Sequence, residues 1–360
     1  MSPNPFRFTA QQLTIDNNEF CDTGDINQDG VLDILAGEFW YEGPDFTPHP
    51  VRSIPPHAPD YLENNGEYLH DVDQDGWLDV ITTGWGNSWL RWYRNPGAEG
   101  LANGDFWEVD TLANTQLTES EMGFLTDLDQ DGEMEYLLNS WNDDNPLTIW
   151  PLIVDSLGQP AAFEHIIGEE NSHGIGFGDV NGDEKTDVLT DDGWYEQPAV
   201  NPWSSPWAFH PDWELDDGSC PILLADINQD QQTDLIWGSG HDYGLFWLNQ
   251  TSGGWQHHHI DLNWSQAHTL LWIDLDLDGQ TELITGKRVR AHSGRDPGST
   301  DPTIIYAYQW NADRQVIDRY VIAEEVGTGL TIQAADLNQD GMIDLVVAGK
   351  TGTYILWQGE

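Results

Sequence analysis

Basic residues, cysteines and long apolar runs are all scarce in this 360-residue chain, and each scarcity excludes something. Lysine and arginine together number 12 against 63 aspartates and glutamates, a formal net charge of −51. Such a surface repels phosphate backbones and anionic headgroups, so neither nucleic acid nor a membrane surface is an expected partner. It suits cations, neutral sugars or a saline milieu. The only cysteines, Cys21 and Cys220, cannot form a disulfide framework, and two free thiols are expected from their different repeat positions. No apolar run approaches the ~20 residues of a helical membrane span. The start, Met1-Ser2-Pro3-Asn4-Pro5, does not read as a secretion leader. The expected setting is extracytoplasmic, secreted or periplasmic with the leader absent from this chain; a cytoplasmic setting is the alternative. Hydrophobic residues make up 38% and aromatics 11%, enough for a sizeable core and too much for a disordered chain.

What the chain has in abundance is one acidic nonapeptide. Its positions 1, 3, 5 and 9 read Asp25, Asn27, Asp29 and Asp33 in the first copy, then Asp71, Asp73, Asp75 and Asp79. The third and fourth copies give Asp127, Asp129, Asp131 and Glu135, then Asp179, Asn181, Asp183 and Asp187. The fifth and sixth give Asp226, Asn228, Asp230 and Asp234, then Asp274, Asp276, Asp278 and Glu282. The seventh is Asp336, Asn338, Asp340 and Asp344. The spacing of roughly 50 residues is that of a four-stranded propeller blade. An apolar run precedes each loop, as Leu270-Leu271-Trp272. A β-rich run follows it, as Leu345-Val346-Val347, then an aromatic strand such as Leu245-Phe246-Trp247 and a fourth strand such as Tyr320-Val321-Ile322.

The expected fold is therefore all-β: a seven-bladed β-propeller with four-stranded blades A–B–C–D, the acidic loop lying between A and B. After the seventh loop there is room for strands B and C only, and one extra strand, about Phe6 to Ile15, precedes the first. That strand is expected to close the last blade, making residues 1–360 a single domain without exposed edges.

Alternating side-chain oxygens at 1, 3 and 5 with a carboxylate at 9 suit a hard cation, and glycine at 6 permits the tight turn. Calcium is expected at these loops, several ions in all. An EF-hand is excluded, since position 12 of the first copy is Ala36 and strands flank the loops. The loops use 24 of the 63 carboxylates, so the excess acidity reads as a solvated surface adapted to salt. With these loops the chain resembles the FG-GAP/VCBS propellers over essentially its whole length. The resemblance implies that calcium at the A–B loops is structural, and fold alone does not give function.

The loops also serve as a ruler. Six residues before each first Asp lies the start of strand A, beside the central channel: Glu19, Asn65, Glu121, His173, Cys220, His268 and Leu330. Strand B ends in Gly286-Lys287-Arg288 and Gly349-Lys350 in two copies, although the chain has only three lysines. The B–C connections add His241, His292, Glu38 and Asp191-Asp192. Imidazoles with one carboxylate suit a zinc-type ion, expected at His173, His241, His268 and Glu121. His292, Lys287 and Lys350 join these four as candidate catalytic residues, a histidine or lysine taking the proton in an elimination. His257-His258-His259 falls on a D strand, at the outer edge. Trp85, Trp141 and Trp194 stand near B–C loops and could stack on sugar rings. Glu19 and Glu121 could face each other as a hydrolytic pair.

The runs Asn171-Ser172-His173-Gly174-Ile175-Gly176, Gly240-His241-Asp242-Tyr243-Gly244 and Ala291-His292-Ser293-Gly294-Arg295-Asp296-Pro297-Gly298 resemble the propeller portion of aldos-2-ulose dehydratase. That resemblance implies zinc-assisted dehydration or β-elimination on a keto-sugar in the channel; the cupin portion of that enzyme has no counterpart here. The expected function is thus a carbohydrate lyase or dehydratase, its partner a sugar-derived small molecule. The alternative is a non-catalytic, calcium-stabilised carbohydrate-binding or adhesion propeller. The oligomeric state is left open.

Overall fold

Strand B of each repeat is the most apolar segment, and its burial explains why. Asp33–Ala36, Asp79–Thr83, Glu135–Leu138, Asp187–Thr190, Asp234–Gly238, Glu282–Lys287 and Asp344–Gly349 are buried at every position. A strand buried on both faces needs apolar side chains on both, so alternation is lost. Outer strands such as Val316–Glu324 alternate toward solvent instead. The computed structural model describes residues 4–216, 218 and 221–359. Among them the strands form seven antiparallel blades arranged as a β-propeller. Blade 1 runs Asp22–Gly24, Asp33–Ala36, Phe39–Glu42 and Thr47–Pro50 in spatial as in chain order. Blades 2–6 repeat this order, and in blade 3 the third strand, Leu147–Val154, also pairs with an added strand at His165–Gly168.

The expected closure is present. Phe8–Thr14 forms the fourth strand of blade 7, pairing with Gly352–Gln358 from Phe8↔Gln358 to Thr14↔Thr353. Cys21 is buried with a free thiol, while Cys220 lies outside the described residues. Phe20, Met122 and Leu330, from blades 1, 3 and 7, belong to one contiguous buried apolar cluster. Residues of blades 1, 3 and 7 meet near the axis, so apolar packing reaches it beside the strand-A residues Glu19 and Glu121.

The acidic loops share one local architecture. In blade 1, Asp25 accepts the N–H of Asp29 and of Gly30, each at 3.0 Å, and Asp29 Oδ1 accepts the N–H of Val31 at 2.8 Å. Position 9 points inward: Asp33 accepts the N–H of Ile26 and of Gly43, both at 2.9 Å. It therefore ties the loop to the end of strand C, as Asp187 and Asp344 do in their blades. Neighbouring loops touch: Gln28 Nε2 donates to Gly76 O at 2.7 Å and Gln130 Nε2 to Glu184 O at 3.2 Å. That places the loops side by side on one face.

Candidate metal centre

Of the seven residues found by counting back six positions, Cys220 lies outside the described residues and four of the other six land where ring symmetry directs them. Glu19, Glu121, His173 and His268 gather at the axis, whereas Asn65 brackets blades by donating to Ser120 O at 2.8 Å and Leu330 packs in the apolar cluster. His173 Nε2 lies 2.7 Å and His268 Nε2 3.0 Å from Glu121 Oε2. His241, from the B–C connection of blade 5, brings its Nε2 to 3.9 Å of the same oxygen. One ligand atom from each of these four residues lies within 4.8 Å of the other three.

The hydrogen bonds behind the imidazoles show what this cluster lacks. His173 Nδ1 lies 2.9 Å from Gly218 O, an acceptor only, so Nδ1 carries the proton. His241 Nδ1 lies 3.1 Å from Asp296 Oδ2, with the same consequence. In the neutral tautomers both Nε2 lone pairs therefore face a carboxylate oxygen, a repulsion that a proton or a cation must relieve. Backbone and carboxylate partners on the far nitrogen are the usual supports of metal-bound histidine. Ligands at zinc distances of about 2.0–2.2 Å stand a little over 3 Å apart, a spacing that 2.7, 3.0 and 3.9 Å straddle. His268 Nδ1 is buried without a partner among the described residues. Three imidazoles and one carboxylate thus fit a zinc-type ion.

Arg288, which sequence reasoning passed over, organises the carboxylates. It is fully buried, donates from Nε and Nη2 to Glu19 at 2.8 and 3.0 Å, and donates from Nη1 to Glu121 Oε1. Glu121 Oε2 is left for the histidines. Burial pushes Glu121 upward, but the charges of Arg288 and His268 outweigh it and hold the carboxyl well below the usual range. Glu19 is lowered in the same way: burial raises it, and Arg288 and Lys350 prevail. A guanidinium shared between Glu19 and Glu121 leaves no gap for the water of a hydrolytic pair. Burial lowers His173 too, yet Glu121 raises it on balance to about 9. His241 and His268 are both lowered, chiefly by burial, His241 to about 3.

The two lysines part company. Lys350 Nζ lies 3.5 Å from Glu19 Oε2 and 3.6 Å from the centre of the Tyr61 ring, and burial lowers it to about 8. Lys287 is buried away from the cluster, its Nζ donating to Ser265 Oγ at 2.9 Å and Gln266 Oε1 at 2.7 Å. The pairing of Lys287 with Lys350 was one residue out of register. Six residues after position 9 come Trp85, Trp141, Arg288 and Lys350 in blades 2, 3, 6 and 7. A forward count from the loop therefore finds what the backward count does not.

Above the cluster opens a cavity of about 640 Å³ lined by Glu121, His173, His241, His292, Asp191, Tyr61, His57, Trp85, Trp141, Ser293 and Arg295, among others. Trp85 stacks on Trp141 with ring centres 5.7 Å apart, and Tyr61 meets Trp85 edge-on at 5.1 Å. Tyr61 and His57 come from the hairpin Pro56–Ala58 and Tyr61–Leu62, inserted between blades 1 and 2, which no repeat position announces. Trp194 is not part of this wall; it is buried, stacked on His210 and bonded to Asp212. His292 stacks on His241 at 4.2 Å and shares Asp296 with it. Asp191 accepts the N–H of Gly174 at 3.1 Å, its Oδ1 has no partner among the described residues, and burial raises it to about 6. His257, His258 and His259 lie on the outer strand Gly254–Ser265, as their position implied.

Residues 71–138 match the model of the FG-GAP-like repeat family. Comparison with curated proteins gives no match. Similar solved structures include that of an Agrocybe aegerita lectin specific for non-reducing terminal N-acetylglucosamine. It shares 16% identity over 96% of this chain and 80% of that one, with a TM-score of 0.40. Another is the exotype rhamnogalacturonan lyase YesX, with 10% identity over 97% of this chain and 72% of that one, and a TM-score of 0.50. At 10% identity, the likeness to the lyase is one of fold alone.

Proposed function

We propose that this propeller, which carries an FG-GAP-like repeat at residues 71–138, is a metal-dependent carbohydrate lyase or dehydratase working in its central cavity. The observation that supports this reading is the convergence of three imidazole Nε2 atoms on Glu121 Oε2 at the base of an aromatic-walled cavity. His173, His241, His268 and Glu121 would hold the ion, which when bound supplies Lewis acidity toward a sugar carbonyl and so acidifies the neighbouring C–H. The residues around it do the rest. Trp85 and Trp141 offer a flat face for a pyranose ring. Asp191 and His292, both on the cavity wall, are placed to take the proton from carbon. As that C–H bond breaks, its electron pair forms the C=C bond and the C–O bond to the departing oxygen breaks. That oxygen then leaves with a proton as water or as a sugar alcohol. Calcium at the seven acidic loops is the frame: in copies two, three and six the oxygens of positions 1, 3 and 9 lie within 4.8 Å of one another.

The stacked tryptophans favour a second reading, a carbohydrate-binding propeller without turnover. One experiment separates the two. Metal content is measured on the purified protein and on the double variant His173→Ala, His268→Ala, together with release of unsaturated product from keto-sugars and uronate oligosaccharides. The lyase reading expects about one transition-metal ion per chain, on top of calcium, lost in the variant together with all turnover. Unchanged zinc content and turnover in the variant would sink it, and sugar binding without turnover or transition metal would establish the binding module.

A further inference from the structure

One wall of the cavity is the connection that leaves strand B of blade 6, residues 288–303, and its backbone is unusual. Arg290, His292 and Ser293 have φ of 54°, 46° and 56°. Side chains other than glycine rarely adopt that region, and such strain persists where the surroundings over-determine the shape. Here they do. Arg290 Nη2 bonds Asp60 Oδ2 at 2.9 Å, His292 Nδ1 bonds Asp296 Oδ1 at 3.0 Å, and Ser299 Oγ donates to Gly294 O at 2.9 Å. What the segment presents to the cavity is His292, Ser293 and Arg295.

Arg295 is held by backbone and not by a carboxylate. Its Nε donates to His292 O at 3.1 Å, which fixes the plane of the guanidinium. Among the described residues no carboxylate oxygen lies within 4.0 Å of it. Arg52, Arg94, Arg288, Arg290, Arg314 and Arg319 each meet a carboxylate. With 63 acidic side chains available for 12 basic ones, few guanidiniums lack a carboxylate beside them; Arg91 is another among the described residues, but Arg295 is the arginine on the wall of this cavity. Its Nη1 and Nη2 remain, a planar fork whose geometry matches a carboxylate through two parallel bonds.

We propose that the sugar is acidic and that Arg295 receives its carboxylate through Nη1 and Nη2 within the cavity that holds the metal centre. The assignment rests on the carbohydrate reading above and narrows it, because the net charge by itself suits a neutral sugar. The acidic surface repels an anion at long range, so recognition depends on this short-range contact.

The test compares oligomers of galacturonate, glucuronate and mannuronate with their methyl esters, which keep the rings and remove the charge. Binding to the metal-loaded full chain is measured by calorimetry. At least one acid binds, and its ester binds roughly tenfold more weakly or worse. In Arg295→Met the acid falls to the affinity of the ester while bound metal is unchanged, and Arg295→Lys keeps part of the preference as a point charge. Esters binding as tightly as acids, a preference that survives Arg295→Met, or no binding of any acid overturns the proposal. Acids that bind and are not turned over support it and count against the elimination reading alone. Neutral keto-sugars turned over with no preference for acids overturn the role of Arg295 and leave elimination standing.

Discussion

Arg288 carries a charge into the dry centre of the ring, and three carboxylate oxygens from blades 1 and 3 answer it. Removing one partner of such a set leaves the others buried and unpaired. Arg288→Met is therefore expected to cost about 3–5 kcal/mol, read as a fall in denaturation midpoint, and to weaken metal retention because Glu121 loses its orientation. Asp22 poses the opposite case, a half-buried carboxylate with no cation partner among the described residues. Burial raises it to about 6 although it accepts the N–H of Leu69 at 2.8 Å. Its unfolded value lies near 3.8, so between those two pH values the folded state keeps a proton that the unfolded chain has lost. Stability then falls as pH rises through that window, by on the order of 1–3 kcal/mol for this group. Asp22→Asn should match the wild type near pH 4 and exceed it near pH 8, as thermal melts at both values would show. Equal differences at the two pH values would refute the assignment.

At the scale of the element, the acidic loop is a small rigid device with two left-handed positions. Position 6 was legible from its glycines. Position 4 was not: Gln28, Gln74, Gln130, Gln229, Leu277 and Gln339 adopt φ of 59° to 62°, and only the fourth copy has a glycine there, Gly182 with φ of 79°. In the fifth copy Gln231 stands at position 6 with φ of 68°. Gln231→Gly should add about 0.5 kcal/mol and Gln231→Val should remove about 1 kcal/mol, measured by chemical denaturation. The same loops explain what could be read beforehand. Because each fixes the start of strand A, counting back from it found Glu121, His173 and His268. His241 came from the Gly240-His241-Asp242 run and not from the count. Arg288 was hidden beside Lys287, since neighbouring positions on a strand end point to different surroundings. Tyr61 and His57 belong to an inserted hairpin that has no counterpart in other repeats, so no periodicity could locate them. Asp191 was legible by its place on the B–C rim, although the count gave it no role beside Asp192.

For the whole molecule, charge and closure act against each other. A net charge of −51 repels itself, most strongly on the face where the acidic loops lie side by side. Calcium bound there would relieve the repulsion and stabilise the folded ring by mass action. Chelation at low ionic strength is accordingly expected to lower the melting temperature by about 5 °C or more, with calcium restoring it and magnesium restoring less. A melt unmoved by chelation would remove calcium from the frame.

Closure works through Phe8–Thr14, whose pairing with Gly352–Gln358 ends with Gly359 N donating to Arg7 O at 2.8 Å. The first and last strands thus leave the ring at one point, running in opposite directions. A force that separates whatever is joined to the two ends meets the bonds of this pair one after another, as a zipper meets its teeth. It never loads them all at once. The joint that resists heat as a cooperative unit is therefore the weakest seam of the molecule under tension, and tethers placed on one end only would spare it.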